Sequence, residues 1–476
     1  MEEPNVAPNT PPTTVYEETP VVTPSLEISE VGVTTPPPPT KGLPIVPILI
    51  GGGILLLLVL VFIFRGILSK GSQIKEATLT WWGLWEDDSI VTPIINEYQQ
   101  KNPKIKIKYI RQSKQDYRER LTNALAKGTG PDIFRFHNTW VPMFKNELDV
   151  LPASVMSAAE YAQTFFPIAS SDLTNGVGLV GIPLEYDGLT MFVNEDIFTL
   201  AGKIPPTNWN DFRNVAVDLT IKDDQGIITQ AGAALGRVEN VDHWQEILGL
   251  MMLQNGANLA KPIGVAAEGA LSFFTLFSSS LGVWDATLPP STSAFAAGKL
   301  AMYFGPSWRA FEIKEQNPNL KFKAVPVPQL AKEGTRMQNV AYASYWAEGV
   351  WARGKNKQVA WDFLKFLSSK ESLQKMYQSA SQVRLFGEPY SRIDMAQLLA
   401  TDPILGPIMA DAANAQSWYL ASRTYDGPTG INSQISKYFE DCINSVNSGT
   451  NPVNKALETA ANGVAQVLSQ YGLVSQ

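Results

Sequence analysis

Cysteine and histidine are scarce in this sequence, and their scarcity excludes two kinds of structural site. The chain of 476 residues contains one cysteine, Cys442, and two histidines, His137 and His243. One cysteine cannot form an intramolecular disulfide, and this set cannot supply the four ligands of a closed Cys/His zinc site. Calcium bound by carboxylates is left open, although no motif supports it. We therefore predict no metal site and no cofactor.

Blocks of basic residues and the common motifs of phosphate and serine chemistry are also missing. The formal net charge is −7, and no basic run collects a phosphate backbone, so we expect no nucleic-acid partner. There is neither a P-loop sequence, G-x-x-x-x-G-K-S/T, nor a G-x-S-x-G elbow. The segment "GVGLVG" at 176–181 matches G-x-G-x-x-G, but "IPLEYDG" follows where a dinucleotide site needs a helix. We dismiss that match.

Apolar residues concentrate in one long run near the N terminus. Residues 1–42 are crowded with Pro, Thr, Val and Glu and show no periodicity, which predicts a disordered tail. Residues 43–64, "LPIVPILIGGGILLLLVLVFIF", carry no charge and are long enough to cross the hydrocarbon layer, so we predict a transmembrane helix. Residues 65–76 form a polar linker in this interpretation, and the folded domain begins at residue 77.

The flanks of the apolar run favour an uncleaved signal anchor that holds the protein in the cell membrane. No A-x-A cleavage site follows the run, and no cysteine stands where a lipid could be attached. Arg65, Lys70 and Lys75 follow it, whereas Lys41 alone precedes it closely. The positive-inside rule would place the large domain in the cytoplasm, but long domains translocate largely regardless of flanking charge.

Strands and helices alternate after residue 77. "ATLTWW" alternates with period two, and "IVTPIINEYQQ" places Ile90, Ile94 and Tyr98 on one helical face. "KIKIKYI" then predicts a half-buried strand, and "QDYRERLTNALAKG" predicts a helix that ends at Gly128. The order βαβα predicts an α/β fold.

Aromatic and acidic residues cluster in "WWGLWEDDS", residues 81–89. We expect one of the first two tryptophans to pack inward from the strand, and Trp85, Glu86 and Asp87 to occupy the loop that follows it. Acidic residues in front of a helix commonly cap it, because they accept hydrogen bonds from its free N–H groups. Capping, ligand contact and catalysis are all open for these carboxylates.

Five segments in a fixed order carry a family resemblance. They are "LAKGTGPDIFRF" at 125–136, "GIPLEYDGLTMFVNEDIFTLAGKIPPTNWNDF" at 181–212, "AFAAGKLAMYFGPSW" at 294–308, "AVPVPQ" at 324–329 and "ARGKNKQVAWDFLKFLSSKESLQKMY" at 352–377. Together they resemble the extracellular solute-binding proteins of ABC transporters, in particular the maltose-binding-like, sugar-binding class called family 1. The resemblance extends from about Ala77 to the C terminus.

The resemblance implies a two-lobed, periplasmic-binding-protein-like α/β fold whose lobes are interleaved in sequence and joined by a hinge. Lobe 1 would hold about 77–186 and 345–380, and lobe 2 about 187–344 and 381–476. The implied function is capture of a carbohydrate, a mono- or oligosaccharide, in the cleft between the lobes for delivery to ABC permease subunits. No enzymatic activity is implied. Because a capture protein is useful only where the solute arrives, we expect the domain outside the cytoplasm despite the flanking charges.

A sugar presents apolar C–H faces and a ring of hydroxyls, so its site needs aromatic surfaces and charged hydrogen-bonding groups. The family's motif positions imply ligand contacts from Trp85, Glu86, Asp87, His137, Trp140, Tyr186, Asp187, Trp244, Trp308, Trp346, Arg384 and Trp418. Trp308 also follows from the residues themselves, because the strand "KLAMYF" and the turn at Gly305 and Pro306 leave it beyond a strand end, where open α/β sheets bind ligands. Trp361, within "VAWDFLKFL", is expected in a helix core.

Two other functions remain as alternatives. Glu185 and Asp187 could supply the acid and base of a glycoside-acting enzyme. The long acidic tail and the anchor could instead belong to a sugar-sensing or surface-interaction module whose cleft only reports the ligand.

Overall fold

The computed structural model describes residues 76–330 and 339–473. The predicted tail at 1–42, the predicted transmembrane helix at 43–64 and all but the last residue of the predicted linker lie outside the described residues. Within the described ranges, no helix combines the length and the apolar character that a membrane crossing requires.

Strands and helices alternate through the described chain, which confirms the α/β prediction. The strands are β1 (Ala77–Gly83), β2 (Ile105–Arg111), β3 (Ile133–His137), β4 (Thr190–Asn194), β5 (Ile221–Lys222), β6 (Ile228–Ala233), β7 (Leu300–Gly305), β8 (Phe322–Val325), β9 (Ala341–Tyr342), β10 (Trp346–Val350) and β11 (Ala415–Gln416). The helices are α1 (Asp88–Lys101), α2 (Tyr117–Ala126), α3 (Ala158–Thr164), α4 (Pro167–Asp172), α5 (Glu195–Leu200), α6 (Trp209–Asp218), α7 (Trp244–Gln254), α8 (Val265–Leu276), α9 (Ser291–Ala296), α10 (Arg309–Gln316), α11 (Lys357–Leu367), α12 (Lys370–Ser381), α13 (Leu405–Asp411), α14 (Ile431–Asn447) and α15 (Val453–Gln470).

The first sheet has the strand order β10-β3-β1-β2. β1 runs parallel to both β2 and β3, whereas β10 is antiparallel to β3 and pairs Trp346 with His137. Parallel strands end at the same edge of a sheet. The C-terminal ends of β1 and β3 therefore share one edge with the start of β10.

The second sheet has the order β5-β6-β7-β4-β8. β6 and β7 are parallel, and β4 is antiparallel to both β7 and β8, with Thr190 paired to Gly305. The start of β4 and the end of β7 consequently lie side by side. β9 and β11 form a separate two-stranded parallel pair.

Helices cover both sheets through regularly spaced apolar residues. α1 buries Ile90, Val91, Ile94, Ile95 and Tyr98, which include the face predicted from the sequence, and it packs against α12. The long helices α14 and α15 pack on each other and on α8. Burial of one apolar stripe on each helix provides most of the stability of such elements.

The chain passes from the first sheet to the second after β3 and returns at β10. At this crossing, Gly188 and Ala343 form an isolated antiparallel β-bridge, and the Ser344 amide donates a hydrogen bond of 3.0 Å to the Asp187 carbonyl oxygen. A Cβ added at Gly188 would lie 2.7 Å from the Tyr342 carbonyl oxygen, so only glycine fits this close approach. The exact division of the chain into two lobes stays a prediction.

Candidate functional site

A cavity of about 290 Å³ lies at the facing edges of the two sheets. Residues at the strand ends of both sheets contribute to it, together with the loop at 422–425. The lining residues are Trp85, Lys114, His137, Glu185, Asp187, Leu189, His243, Glu246, Pro306, Trp308, Phe311, Ser344, Tyr345, Trp346, Arg384, Glu388, Ser422, Arg423 and Tyr425. Concave sites at strand ends are the usual place for ligands in α/β folds.

Trp346 is the centre of an aromatic wall on the side of the first sheet. Its ring meets the Trp85 ring edge-on with 5.2 Å between the centroids, and meets His137 in the same way at 5.1 Å. The Tyr425 ring stacks on it at 6.5 Å. Edge-on and offset contacts are the favoured arrangements of aromatic rings, so these rings hold one another in fixed orientations.

A second aromatic wall lies on the side of the second sheet. The centroids of the Trp308 and His243 rings are 5.6 Å apart. The Arg309 guanidinium lies over the Trp308 ring, 4.5 Å from its centroid. Phe311, one turn further along, has the Arg384 guanidinium 5.4 Å from its ring centre. Cations over the ring faces fix Trp308 and Phe311 by cation–π attraction.

His137 contributes a neutral polar group to the cavity. Its Nδ1 lies 2.8 Å from the Thr139 hydroxyl and its Nε2 lies 3.1 Å from the Ser344 hydroxyl. Burial lowers the pKa of His137 to about 3. The imidazole is therefore uncharged at neutral pH, and both ring nitrogens are oriented by hydroxyl groups.

Asp187 is held in place by the end of β7. Its Oδ1 accepts hydrogen bonds from the Gly188 amide at 2.8 Å and the Ser307 amide at 3.1 Å, and its Oδ2 accepts one from the Ser307 hydroxyl at 2.7 Å. Burial raises the pKa of Asp187 to about 7. The carboxyl thus joins the start of β4 to the end of β7 at the cavity wall.

Three glutamates approach one another beside the cavity. Oxygens of Glu86, Glu185 and Glu388 lie within 4.8 Å of one another. Glu86 already pairs with Arg135 at 2.6 Å and Glu388 with Arg384 at 2.7 Å. Burial, followed by the nearby Glu388 charge, raises the pKa of Glu185 well above its usual range.

Backbone strain is concentrated at the same cavity. Four non-glycine residues in the described part of the chain have positive φ, namely Asp116, His243, Arg423 and Tyr425, and the last three line the cavity. Such conformations cost free energy and persist where surrounding contacts enforce them, which is common at functional sites.

A family model decides what kind of protein this is. The model described as bacterial extracellular solute-binding protein matches residues 93–384, which is more than half of the chain. The chain belongs to that family. Membership implies an extracytoplasmic location for the domain, and the family consists of binding proteins rather than enzymes.

Individual relatives of this solute-binding protein are distant. A binding protein of Brucella abortus (strain 2308) is 24% identical over 264 residues, which are 53% of this chain and 62% of the relative. The diacetylchitobiose-binding protein DasA of Streptomyces coelicolor is 24% identical over 318 residues, which are 61% of this chain and 69% of DasA. The chain thus spans about 62% of the length of the first of these curated relatives.

A solved structure has the same fold. The sugar-binding protein MalE of Xanthomonas citri matches with a TM-score of 0.67 and 17% identity, covering 83% of this chain and 98% of MalE. This likeness confirms the predicted periplasmic-binding-protein-like fold.

Half of the twelve predicted contacts of this solute-binding protein line the cavity. They are Trp85, His137, Asp187, Trp308, Trp346 and Arg384. Trp85, His137 and Trp346 share the edge where β1 and β3 end, and Trp308 follows the end of β7, as the strand order requires.

Two acidic residues predicted as contacts have structural partners instead. Glu86 is buried and receives two hydrogen bonds at 2.6 Å from Arg135 Nη1. Asp87 is exposed and caps α1, because its Oδ1 accepts a hydrogen bond from the Ser89 amide at 3.1 Å. Neither carboxylate lines the cavity, so capping and ion pairing account for both.

Four aromatic residues predicted as contacts also do not line the cavity. Trp140 is fully buried and stacks between Tyr117 and Phe144. Tyr186 is buried in the core, and Trp244 is buried at the start of α7. Trp418 is half-buried and lines a different cavity of about 460 Å³.

Several residues that line the cavity were not predicted as ligand contacts. They are Lys114, Glu185, Leu189, His243, Glu246, Pro306, Phe311, Ser344, Tyr345, Glu388, Ser422, Arg423 and Tyr425. Three of these, Ser422, Arg423 and Tyr425, lie in the loop "SRTYDG", which carries no motif. They reach the cavity through contacts with residues that are distant in the sequence. No spacing in the sequence identifies them.

Proposed function

We propose that this solute-binding protein captures a carbohydrate, a mono- or oligosaccharide, in the cavity between its two sheets and delivers it to the permease subunits of an ABC transporter. The observation that carries the proposal is the pair of aromatic walls. Trp85 and Trp346 come from the edge of the first sheet, and Trp308 comes from the edge of the second, so flat apolar faces stand on both sides of one cavity.

The polar groups between the walls suit sugar hydroxyls. His137 offers a neutral ring, Asp187 and Glu246 offer carboxyl oxygens, and Arg384 offers guanidinium donors. Sugar rings need C–H contact with aromatic faces and hydrogen bonds to charged groups at their edges. Carbohydrate as the ligand class is supported by the relative DasA, which is named for diacetylchitobiose, and by the sugar-binding protein MalE, which has the same fold.

We further propose that residues 43–64 anchor the protein in the cell membrane, with the tail at 1–42 on one side and the binding domain outside the cytoplasm. The apolar run supports the anchor, and the extracellular family supports the orientation. Protease added to intact cells should remove the binding domain. Protection of that domain until the cells are lysed would reverse the orientation and contradict a role in capture.

The direct test is a thermal-shift screen of the full chain in detergent against monosaccharides, maltodextrins and diacetylchitobiose. A ligand present at 100 times its Kd adds about 2.7 kcal/mol to the free energy of unfolding, which raises the unfolding temperature measurably. We expect at least one sugar to do so. A broad panel that leaves the unfolding temperature unchanged would contradict the proposal.

A further inference from the structure

Glu246 is a buried carboxylate whose two oxygens have unequal surroundings. Its Oε1 accepts hydrogen bonds from the Ser422 amide at 2.7 Å and the Ser422 hydroxyl at 2.9 Å. Its Oε2 has no hydrogen-bond partner among the described residues, although the side chain is only 4% exposed and lines the cavity. His243 Nδ1 is 3.7 Å from Oε2, which is too far for a hydrogen bond.

The directions of the neighbouring hydrogen bonds leave no donor for Oε2 in the part of the chain that the structure describes. Arg309 Nε donates to His243 Nε2 at 2.8 Å, and because a guanidinium has no acceptor atom, Nε2 must carry the lone pair. Burial lowers the pKa of His243, so the ring is neutral and its proton is on Nδ1, 2.9 Å from the Ser422 hydroxyl. The Ser422 hydroxyl then donates to Glu246 Oε1.

Among the described residues, no lysine or arginine forms an ion pair with Glu246, and the neighbouring His243 is neutral. Arg309, the nearest guanidinium in this network, pairs with Asp242 at 3.3 Å and with Glu312. The two hydrogen bonds that Ser422 donates to Oε1 favour the ionised form of Glu246, and its pKa is lowered although burial acts to raise it. A buried ionised oxygen without a donor is costly, and native proteins retain such a group where something else supplies the donor.

The backbone is strained at both ends of this network. His243 has φ of 62° directly before α7, and Arg423, next to Ser422, has φ of 55°. Residues other than glycine rarely adopt this conformation. The contacts around His243, Ser422 and Glu246 must therefore offset this strain, and the Glu246 side chain that they hold lines the cavity.

We propose that Glu246 determines the ligand specificity of the cavity, its Oε2 accepting a hydrogen bond from a hydroxyl or an ammonium group of the ligand. The inference rests on the proposed function, that a carbohydrate fills this cavity. A ligand without a donor at that point leaves an ionised oxygen unpaired, and sites built around a buried polar group reject such ligands strongly.

The test compares the full chain with Glu246→Gln. The Gln carbonyl oxygen can still accept from Ser422, but the amide NH₂ then replaces Oε2 and cannot accept from the ligand. Titration calorimetry with glucose, glucosamine, maltose and diacetylchitobiose should show Kd raised about 10- to 100-fold for each sugar that binds the wild type. Glu239→Gln, at an exposed glutamate paired with Arg237, is the matched control and should leave Kd unchanged.

The unfolding temperature of the ligand-free variant is the second measurement. If Glu246 binds the ligand, we expect Glu246→Gln to leave this temperature unchanged or to raise it, because the substitution removes the uncompensated charge. A lowered unfolding temperature with an unchanged Kd would overturn the proposal and make Glu246 a structural residue. Tighter binding of glucosamine than of glucose that weakens with added salt identifies an ammonium donor, and equal binding identifies a hydroxyl.

Failure of the proposed function is distinguishable from failure of this inference. If no sugar binds the wild type, the carbohydrate proposal fails. The unfolding comparison then still decides the role of Glu246, since a lower unfolding temperature for Glu246→Gln contradicts a ligand anchor and an equal or higher one supports it.

Discussion

The rings of Trp346 and Tyr425 stack with their centroids 6.5 Å apart and an angle of 29° between their planes. Trp346 begins β10 in the first sheet, whereas Tyr425 stands in the loop before α14 and adopts φ of 54°. The two residues therefore join parts of the chain that no local pattern connects, and both line the cavity.

Tyr425→Ala should weaken ligand binding with little loss of stability. The side chain is half-buried and its conformation is strained, so its removal leaves a small packing defect but takes an aromatic surface from the cavity. We expect Kd for the bound sugar to rise about tenfold, since an aromatic contact contributes about 0.5–1.5 kcal/mol beyond its area. Tyr438→Ala, away from the cavity, should lower the unfolding temperature and leave Kd unchanged. An unchanged Kd for Tyr425→Ala would remove this ring from the site.

Trp346→Ala should destabilise the protein strongly. Trp346 is 8% exposed, and its ring contacts those of Trp85, His137, Trp140 and Tyr425. Removal of the indole therefore leaves a large cavity among rings that pack on it. We expect a loss of about 3–5 kcal/mol in the free energy of unfolding, measured by urea denaturation. A loss below about 1 kcal/mol would show that these rings do not depend on Trp346.

Local patterns predicted the scaffold well because its elements depend on nearby residues. The apolar spacing of α1, the inward packing of one of Trp81 and Trp82, and the helix-core position of Trp361 follow from periodicity. All three are confirmed, and Trp81 is the tryptophan that packs inward. The same patterns placed Trp85 and Trp308 directly beyond strand ends, and both residues line the cavity.

The remaining residues of the candidate site depend on long-range contacts that periodicity does not encode. Glu86 lies directly after Trp85, but it is buried in an ion pair with Arg135 on β3. Tyr425 reaches the cavity by stacking on Trp346 of β10, and Ser422 reaches it by donating hydrogen bonds to Glu246 on α7. The positions of Glu86 and Tyr425 depend on ion pairing and tertiary packing, and the residue spacing within one segment does not predict either.

Burial of Asp187 should make stability depend on pH in a defined window. Its folded pKa is about 7, whereas an unfolded aspartate has a pKa of about 4. Between these values the folded state binds more protons, so stability falls as pH rises from about 4 to about 7. Asp187→Asn removes this titrating group, so the free energy of unfolding of the variant should fall less steeply between about pH 4 and pH 7 than that of the wild type.

Urea denaturation at intervals between about pH 4 and pH 8 measures that slope. Asp362→Asn, at an exposed position, is the control and should retain the wild-type profile. Identical slopes for Asp187→Asn and the wild type would show that Asp187 titrates as an exposed carboxylate.

Gly188→Ala should distort the point where the chain passes between the sheets. The added Cβ would lie 2.7 Å from the Tyr342 carbonyl oxygen, which belongs to the backbone and cannot rotate away. We expect a loss of about 1–3 kcal/mol in the free energy of unfolding. Gly202→Ala adds a Cβ with no neighbour within 4 Å, and any effect there would come from its positive φ instead. Wild-type stability in Gly188→Ala would mean that the two segments can separate without cost.

Titration calorimetry of two tryptophan variants tests the central claim most directly. Trp308 and Trp418 are both half-buried, but Trp308 lines the cavity between the sheets and Trp418 lines the separate cavity of about 460 Å³. We predict that the full chain binds at least one carbohydrate saturably, that Trp308→Ala weakens this binding at least about tenfold, and that Trp418→Ala leaves it unchanged. Binding that survives in Trp308→Ala and is lost in Trp418→Ala would contradict the account.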